Sequence, residues 1–176
     1  PVDRRLLDEI VQDFEESGAD LPEEKRNRLQ EISSELAKAT QTFSEHVLDA
    51  TNAWSITATE EEELAGLPEN AKTAARQAAI EKLGEEKGAN SWVFTLHAPS
   101  MLPVLQYGDN EDLRREIWTA SDRLCVDEPF QNEPLIREIL KLRQERAEIV
   151  RKDNFADVAL ARRMAKTGGK ANAFVD

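Results

Sequence analysis

The sequence predicts a mainly α fold: an antiparallel helical bundle organised on one long helix, with a small two-stranded antiparallel sheet. The long helix is indicated by continuous helical periodicity from Leu21 to Ala53, and shorter stretches share that periodicity. Two other segments alternate apolar and polar residues, which is typical of strands. No linker, internal repeat or low-complexity segment divides the chain, so we expect residues 1–176 to form a single helical domain.

The long helix is predicted to begin at Pro22, because proline is well tolerated in the first turn of a helix. No further proline or glycine occurs before Gly66. A helix reaching Ala53 would be about 48 Å long, so other elements must pack along it. The same spacing occurs in coiled coils, but only about three heptads are present. We expect Leu36 and Phe43 in the core. The apolar stripe comprises Leu29, Ile32, Leu36, Ala39, Phe43, His46, Val47 and Ala50.

A first amphipathic helix is predicted from about Arg4 to Glu16, ended by Gly18. The short connection to the long helix requires the two helices to run antiparallel. The apolar residues of this first helix are Leu6, Leu7, Ile10, Val11 and Phe14.

The two predicted strands cover Trp54–Thr59 and Ser91–His97. Two strands alone are marginally stable, so we expect them to pair antiparallel and to lie on the bundle. Between them, Glu62 follows Thr59 at the spacing of a capping box for a brief helical turn. An alanine-rich helix follows from Glu69 to Leu83, and its small side chains favour close packing.

The remainder of the chain is predicted to be helical. A helix capped by Asp109 and Asn110 has an inward face that comprises Leu113, Ile117, Trp118, Ser121 and Leu124. The other predicted elements are a helical turn at Val104–Tyr107, a helix from Pro134 to about Arg151, a short helix at Asn154–Met164 and a last helix that begins near Thr167.

The helix from Pro134 to Arg151 carries two apolar rows. Leu135, Ile139 and Leu142 form one row. The second row comprises Ile136, Leu140, Ala147 and Val150. One row can pack on the long helix, and the other is left for another surface. Because exposed apolar patches tend to be covered, we expect the isolated chain to form a homodimer through its C-terminal helices.

Composition limits the function classes. The net charge of -12 argues against a general nucleic-acid-binding protein, which would need a basic face. No apolar run is long enough to cross a bilayer, so we expect no membrane partner. The one cysteine, Cys125, rules out an internal disulfide and fits a reducing, cytoplasmic compartment. A targeting signal before Pro1 would change that expectation.

Few residues are candidates for catalysis or metal binding. The two histidines, His46 and His97, are expected to be structural, because neither belongs to a zinc-binding motif. No histidine lies near Cys125 in sequence, so that residue is expected to be an apolar filler. The acidic run Glu60–Glu63 suits a helix start, and Gly168–Lys170 lacks the spacing of a phosphate loop. We therefore expect no catalytic, cofactor-binding or metal-binding residue in this chain.

Several stretches, in the same order along the chain, resemble the thimet oligopeptidase and oligopeptidase A family of zinc metallopeptidases. They cover nearly the whole sequence, although each is short. These stretches are Ser17–Lys25, Phe43–Trp54, Glu63–Pro68, Trp92–Leu96 with Pro99–Tyr107, and Met164–Thr167.

The resemblance implies a largely helical enzyme in which two halves face a deep channel. It implies a zinc ion, bound by a His-Glu-x-x-His motif downstream of the matched region, that polarises the scissile carbonyl of a short peptide and activates water. No family catalytic or metal residue falls on a position of this chain. The segment is therefore expected to be part of the channel wall and to be inactive alone.

The beginning at Pro1 and the short apolar pattern before Asp176 lead us to expect a fragment of the N-terminal half of a larger oligopeptidase. Its partners would then be short peptides in the channel and the remainder of the same polypeptide. The alternative is a free-standing helical interaction module. A third interpretation is a small zinc protein that uses His46, His97 and Cys125.

Overall fold

The mainly α fold is confirmed by a computed structural model, which describes residues 2–176. The helices are α1 (Val2–Glu16), α2 (Glu23–Ala53), α3 (Glu69–Leu83), α4 (Glu85–Gly88), α5 (Ala98–Tyr107), α6 (Glu111–Asp122), α7 (Glu133–Ile149), α8 (Phe155–Leu160) and α9 (Gly168–Val175). The strands are β1 (Ser55–Ala58) and β2 (Trp92–Thr95), and a 3-10 helix covers Glu61–Leu64.

Two compact units divide the chain. The first contains the residues up to Phe43 together with Pro134–Asp176, and the second contains Ser44–Glu133. Helix α2 therefore contributes its first part to one unit and its last part to the other.

The first unit buries apolar side chains of α2 and α7. Leu29, Ile32 and Ala39 are the buried residues of α2, at positions that share one face of the helix. Their counterparts on α7 are Ile139, Leu142 and Ala147. The buried residues of α7 thus come from both predicted rows, Ile139 and Leu142 from the first and Ala147 from the second. Ile136 and Leu140 of the second row are exposed and form the outer row of this helix.

Helix α1 is oriented with its polar side towards its own unit. The Arg162 guanidinium contacts the carboxylates of Asp13 and Glu16, with Nε 3.1 Å from Oε2 of Glu16. The same guanidinium donates a hydrogen bond to the carbonyl oxygen of Glu9. The apolar stripe on the other side is exposed, and Phe14 keeps 62% of its surface. The predicted amphipathic helix is present, but its apolar face has no cover within this unit.

The second unit is built around the sheet. Strands β1 and β2 pair antiparallel with Ser55 opposite Thr95 and Ala58 opposite Trp92, which confirms the predicted pairing. Helices α3 and α5 pack against β2. The core cluster consists of Ala58, Leu64, Leu67, Ala75, Trp92, Phe94, Leu96, Val104, Leu113 and Ile117.

The turn after β1 differs from its prediction by one residue. The Glu63 carboxylate accepts hydrogen bonds from the backbone N–H groups of Thr59 and Glu60, both at 3.0 Å. The side chain that caps the start of this 3-10 helix is therefore that of Glu63, not that of Glu62. Gly66 closes it at φ +82°, where an added Cβ would meet the carbonyl oxygen of Tyr107.

Three side chains are less buried than the periodicity predicts. Leu36 and Phe43 are half-buried, so the prediction that they lie in the core is wrong. Both lie beside the line of fully buried positions on α2. Trp118 was predicted to point inward on α6 but is 59% exposed. It follows the fully buried Ile117 by one residue, which places it about 100° further around the helix.

Two helices have bounds that differ from the predicted ones. Helix α5 begins at Ala98 and contains Pro103, whereas only Val104–Tyr107 was predicted to be helical. The two prolines of this helix lie four residues apart, so Pro103 lacks the N–H that would have bonded to the carbonyl of Pro99. Helix α8 ends at Leu160, and Met164, the predicted end, is fully exposed.

Candidate functional site

His46 of α2 is held by a buried asparagine, Asn132, which is close in sequence to the last residue of the second unit. Its Nδ1 lies 2.9 Å from Oδ1 of Asn132, which is 3% exposed, and the ring of Phe130 lies edge-on to the imidazole. The backbone N–H of Asn132 in turn donates to the carbonyl of Cys125. His46 thereby fixes the loop after α6 to α2. The His46 imidazole is thus hydrogen-bonded and half-buried, and its purely structural role stays a prediction.

His97 lies at the start of α5, on the surface. Its Nδ1 is 3.2 Å from the hydroxyl of Thr95, two residues earlier on the chain. This is a local contact at the end of β2, and it brings no second titratable group to the imidazole.

Cys125 lies in the loop after α6 with a left-handed backbone, φ +60°. Burial raises the pKa of its half-buried thiol. A raised pKa lowers the thiolate fraction at neutral pH, and the thiolate is the nucleophilic form. A lowered thiolate fraction agrees with the interpretation of Cys125 as an apolar filler, which stays a prediction.

No group of three or more His, Cys, Asp or Glu side chains that could hold a metal ion occurs among residues 2–176. His46, His97 and Cys125 are therefore not brought together as one ligand set. The same part of the chain contains no helix long and apolar enough to cross a membrane.

The glycines at the start of α9 do not form an anion site. The backbone N–H of Gly168 donates to the Asp157 carboxylate at 2.7 Å, and the Thr167 hydroxyl accepts from the N–H of Lys170. The N–H group of Gly168, which a phosphate would need, is thus occupied by a carboxylate of the protein itself.

The second unit contains an open cleft of about 750 Å³ beside the last turn of α2. Residues of α2, α6 and the loop after α6 line it, together with Trp54 directly after α2 and Leu96 directly after β2. The apolar floor is formed by Ala50, Trp54, Leu96, Ala120, Leu124 and Phe130. The charged rim is formed by Asp112, Arg115, Glu116, Arg123 and Asp127.

This cleft was not predicted from the sequence. Its floor combines residues up to about 80 positions apart, each of which reads locally as part of an ordinary apolar stripe. The one signal available was Trp54, a large aromatic residue placed directly after the end of a helix. Such a position favours partial exposure, because the chain changes direction there.

Comparison with known proteins gives consistent matches. A family described as "Peptidase family M3" matches residues 104–176. Oligopeptidase A of Salmonella typhimurium is 39% identical over 168 residues, which is 93% of this chain and 24% of that protein. Oligopeptidase A of Escherichia coli is 38% identical over the same shares.

A plant protein is similar to the same degree. The organellar oligopeptidase A of Arabidopsis thaliana is 37% identical over 164 residues, which is 92% of this chain and 21% of that protein. The chain thus spans about a quarter of the length of the relatives it matches.

Proposed function

Because the chain belongs to the thimet oligopeptidase and oligopeptidase A family, we propose that it is a non-catalytic segment of a peptidase that hydrolyses short peptides. The observation that carries this proposal is the 39% identity to an oligopeptidase A over 93% of the chain. A match that extends over 93% of the chain supports a role for the whole segment.

The zinc of this family does not fit the residues described here. A catalytic zinc needs three protein ligands in a fixed geometry, and no such group occurs in residues 2–176. We therefore assign no catalytic step to these residues. We propose that the metal and the general base belong to another part of the parent protein.

In the parent, we propose that this segment forms part of the wall of the substrate channel. In this role, the partner of the segment is the remainder of the same polypeptide. The exposed stripe on α1 supports it, because Arg162 already fixes the polar side of that helix to its own unit. An apolar face left outward in this way is suited to packing against a further part of the protein. We propose a cytoplasmic location on the basis of the single cysteine.

The competing proposal is a free-standing helical interaction module, and the same exposed stripe on α1 favours it. The native reading frame separates the two. A frame that continues for several hundred residues and encodes His-Glu-x-x-His supports the peptidase. A frame that stops near Asp176 supports the module.

The experiment is a peptidase assay on the isolated chain, with a quenched fluorescent peptide of about nine residues and added zinc. We expect no hydrolysis, because the chain offers no group of zinc ligands. His46→Ala and Cys125→Ala are the matched variants. Zinc-dependent cleavage that either variant abolishes would refute the non-catalytic assignment and support the small zinc protein instead.

A further inference from the structure

We propose that the cleft beside the last turn of α2 binds oligopeptides in which a bulky apolar residue stands next to a basic one. The peptide nature of the ligand rests on the proposed function. The choice of side chains is drawn from the cleft alone.

The floor of the cleft selects an apolar group. The cleft volume of about 750 Å³ lies within the range of roughly 300–1,000 Å³ that is usual for ligand sites. Trp54 and Phe130 supply two aromatic side chains, and Leu96 closes the bottom. Alanines at positions 50 and 120 leave room above them. A large apolar side chain can therefore enter and lose its contact with water.

The rim of the cleft carries two negative charges without partners. Arg115 is paired with the Glu111 carboxylate, and Arg123 is paired with Asp127 at 2.9 Å. Both rim arginines are thus already paired with carboxylates four residues away in sequence. The side-chain carboxylates of Asp112 and Glu116 have no hydrogen-bond or ion-pair partner among residues 2–176.

The spacing of these two carboxylates strengthens the preference for a cation. Asp112 and Glu116 are four residues apart on α6, so their side chains are neighbours on the helix surface. Like charges at this spacing repel each other. A guanidinium or ammonium group between them would replace that repulsion with two attractions.

The C-terminal end of α2 adds to the negative potential of the cleft. Ala50 and Ala53 line the cleft, and the last turn of α2 contains no basic residue. The carbonyl groups at a helix C-terminus carry a partial negative charge, which favours a nearby cation. An apolar floor under a negative rim therefore fits a peptide with an aromatic residue next to arginine or lysine.

The test uses the 176-residue chain and two capped hexapeptides, acetyl-Gly-Gly-Phe-Arg-Gly-Gly-amide and its Phe-Glu counterpart. Two readouts lie in the cleft. Trp54 fluorescence reports contact with the floor, and a Trp118→Phe background removes the exposed tryptophan from the signal. Cys125 is the one cysteine of the chain and lines the cleft, so its rate of maleimide labelling gives a footprint.

We expect the Phe-Arg peptide to change the fluorescence saturably and to slow the labelling of Cys125. The Phe-Glu peptide should bind about tenfold more weakly, since each exposed carboxylate contributes a factor of up to about five. Raising the salt concentration should reduce this difference, because the rim is exposed.

Two variants and one control locate the site. Glu116→Lys should remove the preference for arginine, and Ala53→Phe should block both peptides by filling the mouth of the cleft. Glu86→Lys makes the same charge change on an exposed part of α4 and should leave binding unchanged. All three positions are exposed, so folding is preserved.

Equal binding of the two peptides, absence of binding, or a preference that survives Glu116→Lys would each overturn the inference. The assay involves no hydrolysis. A negative result therefore refutes peptide binding in the cleft and leaves the peptidase proposal standing. Peptide binding together with a native protein that has no peptidase activity would refute only the peptidase proposal.

Discussion

Arg28 of α2 and Glu145 of α7, 117 residues apart, meet in a two-point contact. The guanidinium Nε lies 2.6 Å from Oε1 of Glu145, and Nη2 lies 2.9 Å from Oε2. The remaining Nη1 is shared between Glu31 and Glu35 on α2. The pairing fixes the register of the two helices in the first unit, because both nitrogen–oxygen pairs must align at once.

This pair makes the stability of the chain depend on acid pH. Hydrogen bonds from Arg28 hold the pKa of the Glu145 carboxyl below its ordinary value of 4.5. A carboxyl with a lowered pKa in the folded state stabilises the fold above its unfolded pKa, and this stabilisation is lost as the pH falls through the folded pKa. We expect Glu145→Gln to lower the urea midpoint at pH 7 and to have little effect once the pH is well below 4.5.

The control for this prediction is Glu138→Gln on the same helix. Glu138 has no ion pair within residues 2–176, so this variant should shift the urea midpoint little at either pH. Equal shifts for Glu145→Gln at pH 7 and in strong acid would show that the charge of Glu145 does not matter.

Buried and exposed positions on α2 should differ in how much free energy of unfolding is lost when an aliphatic side chain is shortened to alanine. Ile32 is 0% exposed, and Ile32→Ala should lower the free energy of unfolding by about 2–5 kcal/mol through lost transfer energy and the cavity left behind. Leu48, on the same helix, is 58% exposed, and Leu48→Ala should cost no more than about 0.5 kcal/mol. Urea unfolding measures both. Similar losses for the two variants would mean that the buried face of α2 is assigned incorrectly.

Close packing of α4 on α3 leaves no room for a side chain at Gly88. An added Cβ would lie 2.4 Å from Cα of Ile80, so Gly88→Ala should destabilise the chain by about 1–3 kcal/mol. Gly169 in α9 has open space around it, and Gly169→Ala should be neutral or stabilising by up to about 1 kcal/mol. In thermal unfolding, Gly88→Ala should lower the midpoint, and Gly169→Ala should leave it unchanged or raise it. A tolerated Gly88→Ala would show that α4 does not pack against α3.

The outer row of α7 gives a prediction about association. Leu140 is 58% exposed, and we expect the isolated chain to dimerise through Ile136 and Leu140. Leu140→Glu should give a monomer in light scattering after size exclusion at micromolar concentration, whereas Leu48→Glu, an exposed control, should not. Leu142 is buried, so a substitution at that position would report on folding instead of association. A monomeric mass for the unmodified chain would refute the dimer.

Local patterns predicted the elements of the fold well. The long helix, both strands and their antiparallel pairing follow from spacings of 3.6 and 2 residues, which are properties of neighbouring positions. The position of Trp118 could not be read in this way, because a helix stripe predicts a face and not how far that face is covered. Helix α5 was predicted too short, because a proline inside a helix removes a backbone hydrogen bond, and Pro103 therefore gives no local sign that the helix continues through it.

Contacts between residues that are distant in sequence could not be predicted. The Arg28–Glu145 pair and the floor of the cleft each join residues that are distant in sequence, and charge or hydrophobicity at one position does not identify its partner. The family resemblance was read correctly, because it depended on several short stretches in a fixed order.

The central claim is that this chain supplies a structural segment of an oligopeptidase. The most direct measurement is the zinc-dependent kcat/KM of a chimera, in which residues 1–176 replace the matched 24% of Salmonella typhimurium oligopeptidase A. The account predicts that the chimera hydrolyses a quenched nonapeptide within about tenfold of the parent rate, and that Ile32→Asp in the inserted segment abolishes expression of soluble enzyme. A folded, zinc-loaded chimera that hydrolyses no peptide would contradict the claim.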